Sequence, residues 1–415
     1  MKFSVLLPTR NRLDYLRHAV ESVRRQDYDD WEVIISDNDS QDGISEFVAG
    51  LGDSRIRYFR TSTFVPVTDN WNKALDHSSG DLVIMLGDDD CLMSGFFTTL
   101  LAAITTTHPD PDFIYTSAYL YAYPGVIPGH PDGFLQPLGD GTFLAGATAP
   151  FWLSRTTAER LVSSFMSFHA EYGYNMQFFT ISRRMIRELA VYGPFFQSPF
   201  PDFYAANAMM LKARRILVLP QRLVTIGITP KSFGYYFFNN KEGEGAEFLQ
   251  DISDPPTEES LRPFLLPGSY FLTSWFFSAD VLRQRLGAEF PLRVDVAQYR
   301  QLQAKWVYRS RWLHRSIDDE AVHRFRMRLT IGERMRLTMP LAVFHRLRAL
   351  APAGVRGLLG KMVRRLRGHR SPLPTYGGFP TIREVFTRVD PVTGPHPARV
   401  EGVGSRAEAG VDGAR

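Results

Sequence analysis

Short apolar runs that each end in a knot of polar residues constrain this chain more than any other feature. Phe3–Leu7 (FSVLL) and Leu82–Leu86 (LVIML) are continuous apolar runs, and Trp31–Ser36 (WEVIIS) is nearly so. That is the pattern of strands buried on both faces of a parallel sheet. Between the first two, Leu16, Ala19, Val20 and Val23 recur at helical spacing, with Arg17, Glu21, Arg24 and Arg25 on the wet face. Strand, helix and strand in that order make a βαβ unit with a right-handed crossover. The alternation continues with a helix near Gly43–Leu51, a strand at Arg55–Phe59 and a helix at Asn70–His77. The expectation is an open α/β sheet, whose ligands sit at the carboxyl ends of the strands where strand order reverses. Those ends carry Pro8, Thr9, Arg10, Asn11 and Arg12 after the first run. Ser36, Asp37, Asn38, Asp39 and Ser40 follow the second, and Gly87, Asp88, Asp89 and Asp90 the third.

Charge and cysteine content narrow the class further. The chain has 415 residues and one cysteine, Cys91, which excludes an internal disulfide and a structural cysteine-zinc site. No uncharged apolar run reaches the roughly 18 residues of a membrane-spanning helix. The apolar start is cut short by Pro8 and Arg10, so no signal peptide is expected and a cytoplasmic location is. The net charge of +4 hides an asymmetry. Residues 1–110 hold 10 basic and 18 acidic side chains, whereas residues 281–370 hold 21 basic and 6 acidic ones. Such a split separates chemistry from docking.

Past residue 110 the pattern is looser. Phe113–Phe151 is rich in Tyr, Pro and Gly and reads as irregular chain with short strands. Thr156–His169 and Ser182–Val191 read as helices, and Asn175–Ile181 as a strand. A Pro-Phe-Pro-Asp turn opens a helix over Pro199–Ala213, and Pro220–Ile228 reads as a last strand. The expected organisation is a domain over 1–250, divided into 1–110 and 111–250, then a proline-rich linker over 251–269. A basic helical region over 270–370 and a largely disordered tail over 371–415 complete it.

Three adjacent carboxylates at Asp88-Asp89-Asp90 repel one another unless something positive joins them. A hard divalent cation, Mn²⁺ or Mg²⁺, takes carboxylate oxygens and leaves positions for phosphate oxygens. The plainer alternative is a solvated acidic turn. With the triplet in place, SVLLPTRNR, IISDNDSQDG and GDLVIMLGDDD, in that order and spacing, resemble the nucleotide-sugar-binding half of family 2 glycosyltransferases. The resemblance is close over residues 1–100, looser over 101–240, and does not extend beyond about 250.

The resemblance implies a GT-A fold, an open mixed sheet of βαβ units flanked by helices, followed here by the basic helical extension. It also implies roles. Pro8, Thr9, Arg10 and Asn11 match the loop around the nucleoside, and Asp37 the carboxylate that accepts from the base ring, usually uracil. Asp88 and Asp89 match the ribose and metal carboxylates, with Asp89 the first choice as metal ligand and Asp90 the third candidate. The division of labour stays open, because Gly-Asp-Asp-Asp stands where Asp-x-Asp-Asp is commoner. Lys231, Ser232 and Tyr235 sit where the family closes over the diphosphate. The family histidine common in that stretch is absent from 229–240.

An inverting transferase needs a base for the acceptor hydroxyl, and Asp202 is the best positional match, with Glu171 a weaker one. Asp202 could equally cap the helix that follows. Trp71 reads as a core aromatic and Cys91 as a small buried residue. The expected activity is therefore metal-dependent, inverting transfer of one sugar from a nucleotide-diphospho sugar to a cell-envelope or other glycan acceptor. Processive relatives carry a Gln-x-x-Arg-Trp motif; Tyr308-Arg309-Ser310-Arg311-Trp312 lacks its Gln. The rivals are a sugar-1-phosphate nucleotidyltransferase, disfavoured by the absence of glycine after the first strand, and an inactive nucleotide-sugar-binding scaffold. Residues 340–370 form a basic, amphipathic stretch suited to an anionic membrane, or else a solvated arginine-rich face. No nucleic-acid-binding motif accompanies the charge, so no specific nucleic-acid partner is expected.

Overall fold

The structure is a computed structural model, and it describes residues 1–108, 110–138, 142–144, 146–239, 242, 261–314, 316–343, 373–391 and 394. Its centre is a ten-stranded mixed sheet. The N-terminal part follows the expected alternation: β1 (Phe3–Thr9), α1 (Leu13–Arg24), β2 (Trp31–Asp37), α2 (Ile44–Gly50), β3 (Ile56–Arg60), α3 (Val67–Asp76) and β4 (Leu82–Met85). Strand β1 lies between β2 and β4 and pairs in parallel with both, Leu6 opposite Ile34 and Val5 opposite Ile84. Because the order runs β3-β2-β1-β4, it reverses between β1 and β4, and a crevice opens at their carboxyl ends. The apolar runs are buried throughout on both faces, and α1 packs Leu16, Ala19, Val20 and Val23 against the sheet.

The second half adds β5 (Cys91–Leu92), α4 (Phe96–Thr107), β6 (Phe113–Ala122), β7 (Phe134–Pro137) and β8 (Phe151–Leu153). It continues with α5 (Arg155–Met166), β9 (Phe179–Ser182), α6 (Arg183–Leu189), α7 (Pro201–Lys212), β10 (Ile216–Ile228) and α8 (Phe233–Phe238). Strand β9 runs antiparallel between β4 and β6 and joins the two halves into one sheet.

Here the structure departs from the expectation of irregular chain after Phe113. FIYTSAYLYA is a ten-residue strand, buried at every position. It lies inside the sheet, so neither face is wet and no alternation marks it. Strand β10 begins four residues before Pro220, and the proline sits in a register irregularity between Leu219 and Arg222, where no ladder N–H is needed.

The C-terminal part is more closely joined to the sheet domain than a linker-and-extension reading implies. Helix α9 (Tyr270–Leu286) buries Trp275 completely, and the Trp275 indole N–H donates to Phe165 O at 3.1 Å. Helix α10 (Val296–Arg309) and helix α11 (Asp319–Met327) form a smaller core with Leu266, Phe325 and Leu337. Within the tail expected to be largely disordered, Ile382–Arg388 form α12. Ile382, Val385 and Phe386 of this helix are buried, and it packs against α1, β5 and β10. Four large apolar residues in eight, Ile382, Val385, Phe386 and Val389, suffice to hold a segment whose overall composition is polar. Most of the linker, residues 251–260, and most of the basic stretch, from 344 on, lie outside the described residues. Among the described residues no helix is long and apolar enough to cross a membrane.

Candidate functional site

The acidic triplet forms the turn between β4 and β5, at the reversal of strand order. Asp90 closes that turn. Its Oδ2 accepts from Gly87 N at 3.0 Å and from the Gln177 side chain, and its Oδ1 from Gly227 N at 2.8 Å. A side chain at Gly87 would run into the Asp90 carboxylate, and a Cβ at Gly227 would lie 1.9 Å from Asp89 O. Glycine at both positions lets β10 and the acidic turn approach this closely. Burial, then the neighbouring Asp89 charge, pushes the Asp90 pKa up to about 8. Asp90 is thus held by Gly87, Gln177 and Gly227 without an ion pair to Arg12, which distinguishes it from the other two carboxylates.

Asp88 and Asp89 share a cation. Arg12 Nη1 lies 2.8 Å from Asp88 Oδ1 and 3.3 Å from Asp89 Oδ2. Thr9 Oγ1 donates to Asp88 Oδ2 at 2.8 Å. Asp89 Oδ2 also accepts from Thr229 Oγ1 at 3.1 Å and from Ser232 Oγ, leaving Oδ1 outside this network. Burial raises the Asp88 pKa against the pull of Arg12. Burial works against the Arg12 charge too, but Asp88 and Asp89 outweigh it and hold the guanidinium above its usual value. Sequence reasoning placed Arg12 in the right loop without a role, and missed Gln177 and Thr229. Only the contact across the sheet edge identifies them.

The loops after β1 and β2 are stitched together around this turn. Asn38 N donates to Thr9 O at 2.9 Å. Asn11, at a φ of 52°, donates its N–H to Ser40 Oγ at 2.8 Å, and its Oδ1 accepts from Gln41 N at 2.7 Å. Pro8 lies within β1, opposite Ser36. Arg10 turns to the rim, its guanidinium 4.1 Å from the centre of the Phe64 ring. Asp37 is buried at the end of β2; its Oδ1 accepts from Ser40 N at 2.9 Å and its Oδ2 from Tyr58 Oη at 2.6 Å. This is an Asx-type turn, and a carboxylate has about four acceptor sites, so capacity remains. Lys231 bridges the far side, donating Nζ to Asn11 O while its own carbonyl accepts from Arg12.

The structure therefore brings Thr9, Asn11, Asp88, Asp89, Lys231 and Ser232 into one network. Asp202 is not hydrogen-bonded to it. It sits in the first turn of α7, partly buried, with Oδ1 accepting from Phe203 N at 2.9 Å; Phe200, not Asp202, is the N-cap. The preceding Phe200 packs on Phe233 just beyond the Thr229–Ser232 turn, with ring centres 5.5 Å apart. Burial pushes the Asp202 pKa up to about 7. The weaker candidate, Glu171, is held by Arg160 and Ser164 on α5. Trp71 packs edge-on against Phe196, with ring centres 5.2 Å apart, and Cys91 is fully buried, which drives its thiol pKa up. Neither belongs to the site.

Whether the site fits a divalent cation is a question of donors. Among the described residues no cluster of three or more His, Cys, Asp or Glu converges on one point. Asp88 and Asp89 supply hard carboxylate oxygens side by side, which suits Mg²⁺ or Mn²⁺ completed by phosphate and water oxygens.

Residues 4–152 match the model of the family described as glycosyl transferase family 2. A GalNAc(5)-diNAcBac-PP-undecaprenol beta-1,3-glucosyltransferase of Campylobacter jejuni is 41% identical over 103 residues, covering 24% of this chain and 33% of that protein. The putative colanic acid biosynthesis glycosyl transferase WcaA of Escherichia coli K12 is 30% identical over 137 residues, covering 31% and 48%. The chain thus spans a third to a half of the length of these relatives. The crystal structure of S. aureus TarS 1–349 aligns with a TM-score of 0.45 at 17% identity, over 81% of this chain and 91% of that one. The expected open mixed sheet flanked by helices is present, and its N-terminal part, residues 4–152, carries the match to glycosyl transferase family 2.

Proposed function

We propose that the chain transfers a single sugar, with inversion, from a nucleotide-diphospho sugar (a UDP-sugar is the first choice) to the hydroxyl of a glycan or lipid-linked acceptor. The observation that carries this reading is the family match lying over the network of Thr9, Arg12, Asp88 and Asp89 at the reversal of strand order. The undecaprenol-linked substrate named for the Campylobacter relative supports a lipid-linked acceptor, and the inner face of a membrane is the proposed place of transfer. Asp37, fixed by Ser40 and Tyr58, keeps acceptor capacity for a base ring N–H, and Pro8, Arg10 and Asn11 frame that loop. Mn²⁺ or Mg²⁺, held by Asp89 with Asp88, would offset the charge that develops on the diphosphate. Asp90, held by Gly87, Gln177 and Gly227 apart from Arg12, positions the turn instead of binding metal.

Asp202 is the base. Its carboxylate takes the acceptor hydroxyl proton as the hydroxyl oxygen bonds to the anomeric carbon. The bond from that carbon to the phosphate oxygen breaks, and its electron pair leaves with the nucleoside diphosphate. Arg12 and Lys231 then offer positive charge beside the departing phosphates. An inactive nucleotide-sugar-binding scaffold is the second reading, and Arg12 seated on both carboxylates is what favours it.

The test is transfer, or donor hydrolysis, with Mn²⁺ and with EDTA, in wild type and Asp89→Ala. Loss of at least about a hundredfold in the variant, and loss with EDTA, is the expected outcome. Activity surviving both treatments sinks the metal role, and tight UDP binding without turnover of any donor selects the scaffold.

A further inference from the structure

The C-terminal helical region presents an apolar face to solvent. Met327 ends α11, and Ile331, Met335, Met339 and Val343 follow at four-residue intervals. Their exposures are 60%, 80%, 59%, 51% and 52% in that order, so each keeps at least half of its surface in water. Four-residue spacing drifts by about 40° per step on a regular α-helix. From Ile331 on, the wider π turn over Arg334–Thr338 offsets that drift, while the turn at 328–330 sets Met327 ahead of this helical stripe.

This stripe is not a frayed end. Leu329 and Leu337, from the same segment, are buried with Phe325 and with Tyr308 of α10. The segment is anchored by one side and shows the other. Large exposed apolar patches of this kind mark interaction surfaces.

What covers the stripe is indicated by its rim. Arg324, Arg326, Arg328 and Arg336 are all exposed. Arg324 pairs with Glu320 at 2.8 Å, while the other three have no carboxylate partner among the described residues. An apolar stripe edged by unpaired cations matches the interface of an anionic bilayer, where apolar side chains enter the acyl boundary and guanidiniums meet headgroup phosphates. A second copy would bring the same arginine rim against this one, and like-charge juxtaposition opposes it. The excess of 21 basic over 6 acidic residues across 281–370 adds long-range attraction toward the same surface.

We propose that residues 327–343 form a docking face for an anionic lipid surface, with the apolar stripe seated shallowly and the arginine rim on the headgroups. This face is distinct from the basic stretch at 340–370, because its anchor is a folded apolar surface. It does not rest on the transfer reading, since no residue of the acidic turn takes part and the test reads no transfer.

The test is flotation of the full chain with vesicles of phosphatidylcholine alone or mixed with phosphatidylglycerol, at low and high salt. Wild type should float with the anionic vesicles and not with the neutral ones. Ile331→Ser combined with Met335→Ser should bind roughly tenfold more weakly or worse, with unchanged circular dichroism. Arg326→Glu combined with Arg328→Glu should also bind more weakly and lose most of its salt dependence. The proposal is overturned if wild type does not float, or if the serine variant floats as well as wild type, since charge alone would then suffice. A wild-type dimer in light scattering that the serine variant converts to monomer would also overturn it.

Discussion

The acidic turn shows how one residue can hold several others in place. Arg12 is the cation that lets Asp88 and Asp89 stand side by side in a buried site. Arg12→Ala should leave those charges uncompensated and cost about 3–5 kcal/mol, measured by denaturant unfolding. If a divalent cation can take over its role, added Mn²⁺ should raise the melting temperature of the variant more than that of wild type. Equal shifts would place the cation elsewhere. Asp202 carries the second prediction. Its folded pKa of about 7 lies above the ordinary value of 3.8, so the folded state holds the proton to higher pH than the unfolded chain does. Ionising it in the fold therefore costs stability that grows as pH rises from about 4 to about 7. Asp202→Asn should gain stability relative to wild type at pH 8 compared with pH 5. Transfer should rise with pH to a plateau above about 7, as the base ionises, and fall by at least about a hundredfold in Asp202→Asn with UDP affinity nearly intact. A lost nucleotide affinity would mean a structural role instead.

At the scale of elements, legibility followed burial pattern. The segments β1, β2 and β4 were readable because each is a compact apolar run, and α1 because one face is wet. The strand β6 was not, since its Thr, Ser and four aromatic residues in FIYTSAYLYA are all buried and show neither alternation nor a plain apolar run. The tail helix α12 was hidden for the opposite reason, a few apolar residues within a polar segment. It is held by Ile382, Val385 and Phe386 and by an Arg383–Glu21 ion pair at 3.0 Å to α1. Tyr121 Oη donates to Phe379 O at 2.7 Å just before it. Because the ion pair is largely exposed, the apolar contacts should dominate. Phe386→Ala should lower stability by about 3–5 kcal/mol, whereas Arg383→Ala should cost less than about 1 kcal/mol, both by denaturant unfolding. The reverse ranking would mean that the helix is held by charge.

Across the whole molecule one apolar core runs from Phe3 to Val389 and takes in α9 and α12, so the segments after residue 260 complete the sheet domain. The charge asymmetry has a matching geometry: acidic side chains gather at the strand ends of the N-terminal half, and exposed arginines edge the apolar stripe of the C-terminal region. The sequence by itself determined the βαβ alternation, the edge at which a ligand would lie, and the three loops that carry Thr9, Asp37 and Asp88. These follow from local periodicity and from strand direction, which need no knowledge of distant residues. Tertiary structure alone decided that Arg12 lies on Asp88 and Asp89, and that Thr229 and Ser232 from beyond β10 hold Asp89. It likewise decided that Gln177 and Gly227 occupy Asp90, and that α12 packs behind α1. Those contacts join positions tens to hundreds of residues apart, and their energy depends on distance and burial, which one-dimensional spacing does not encode.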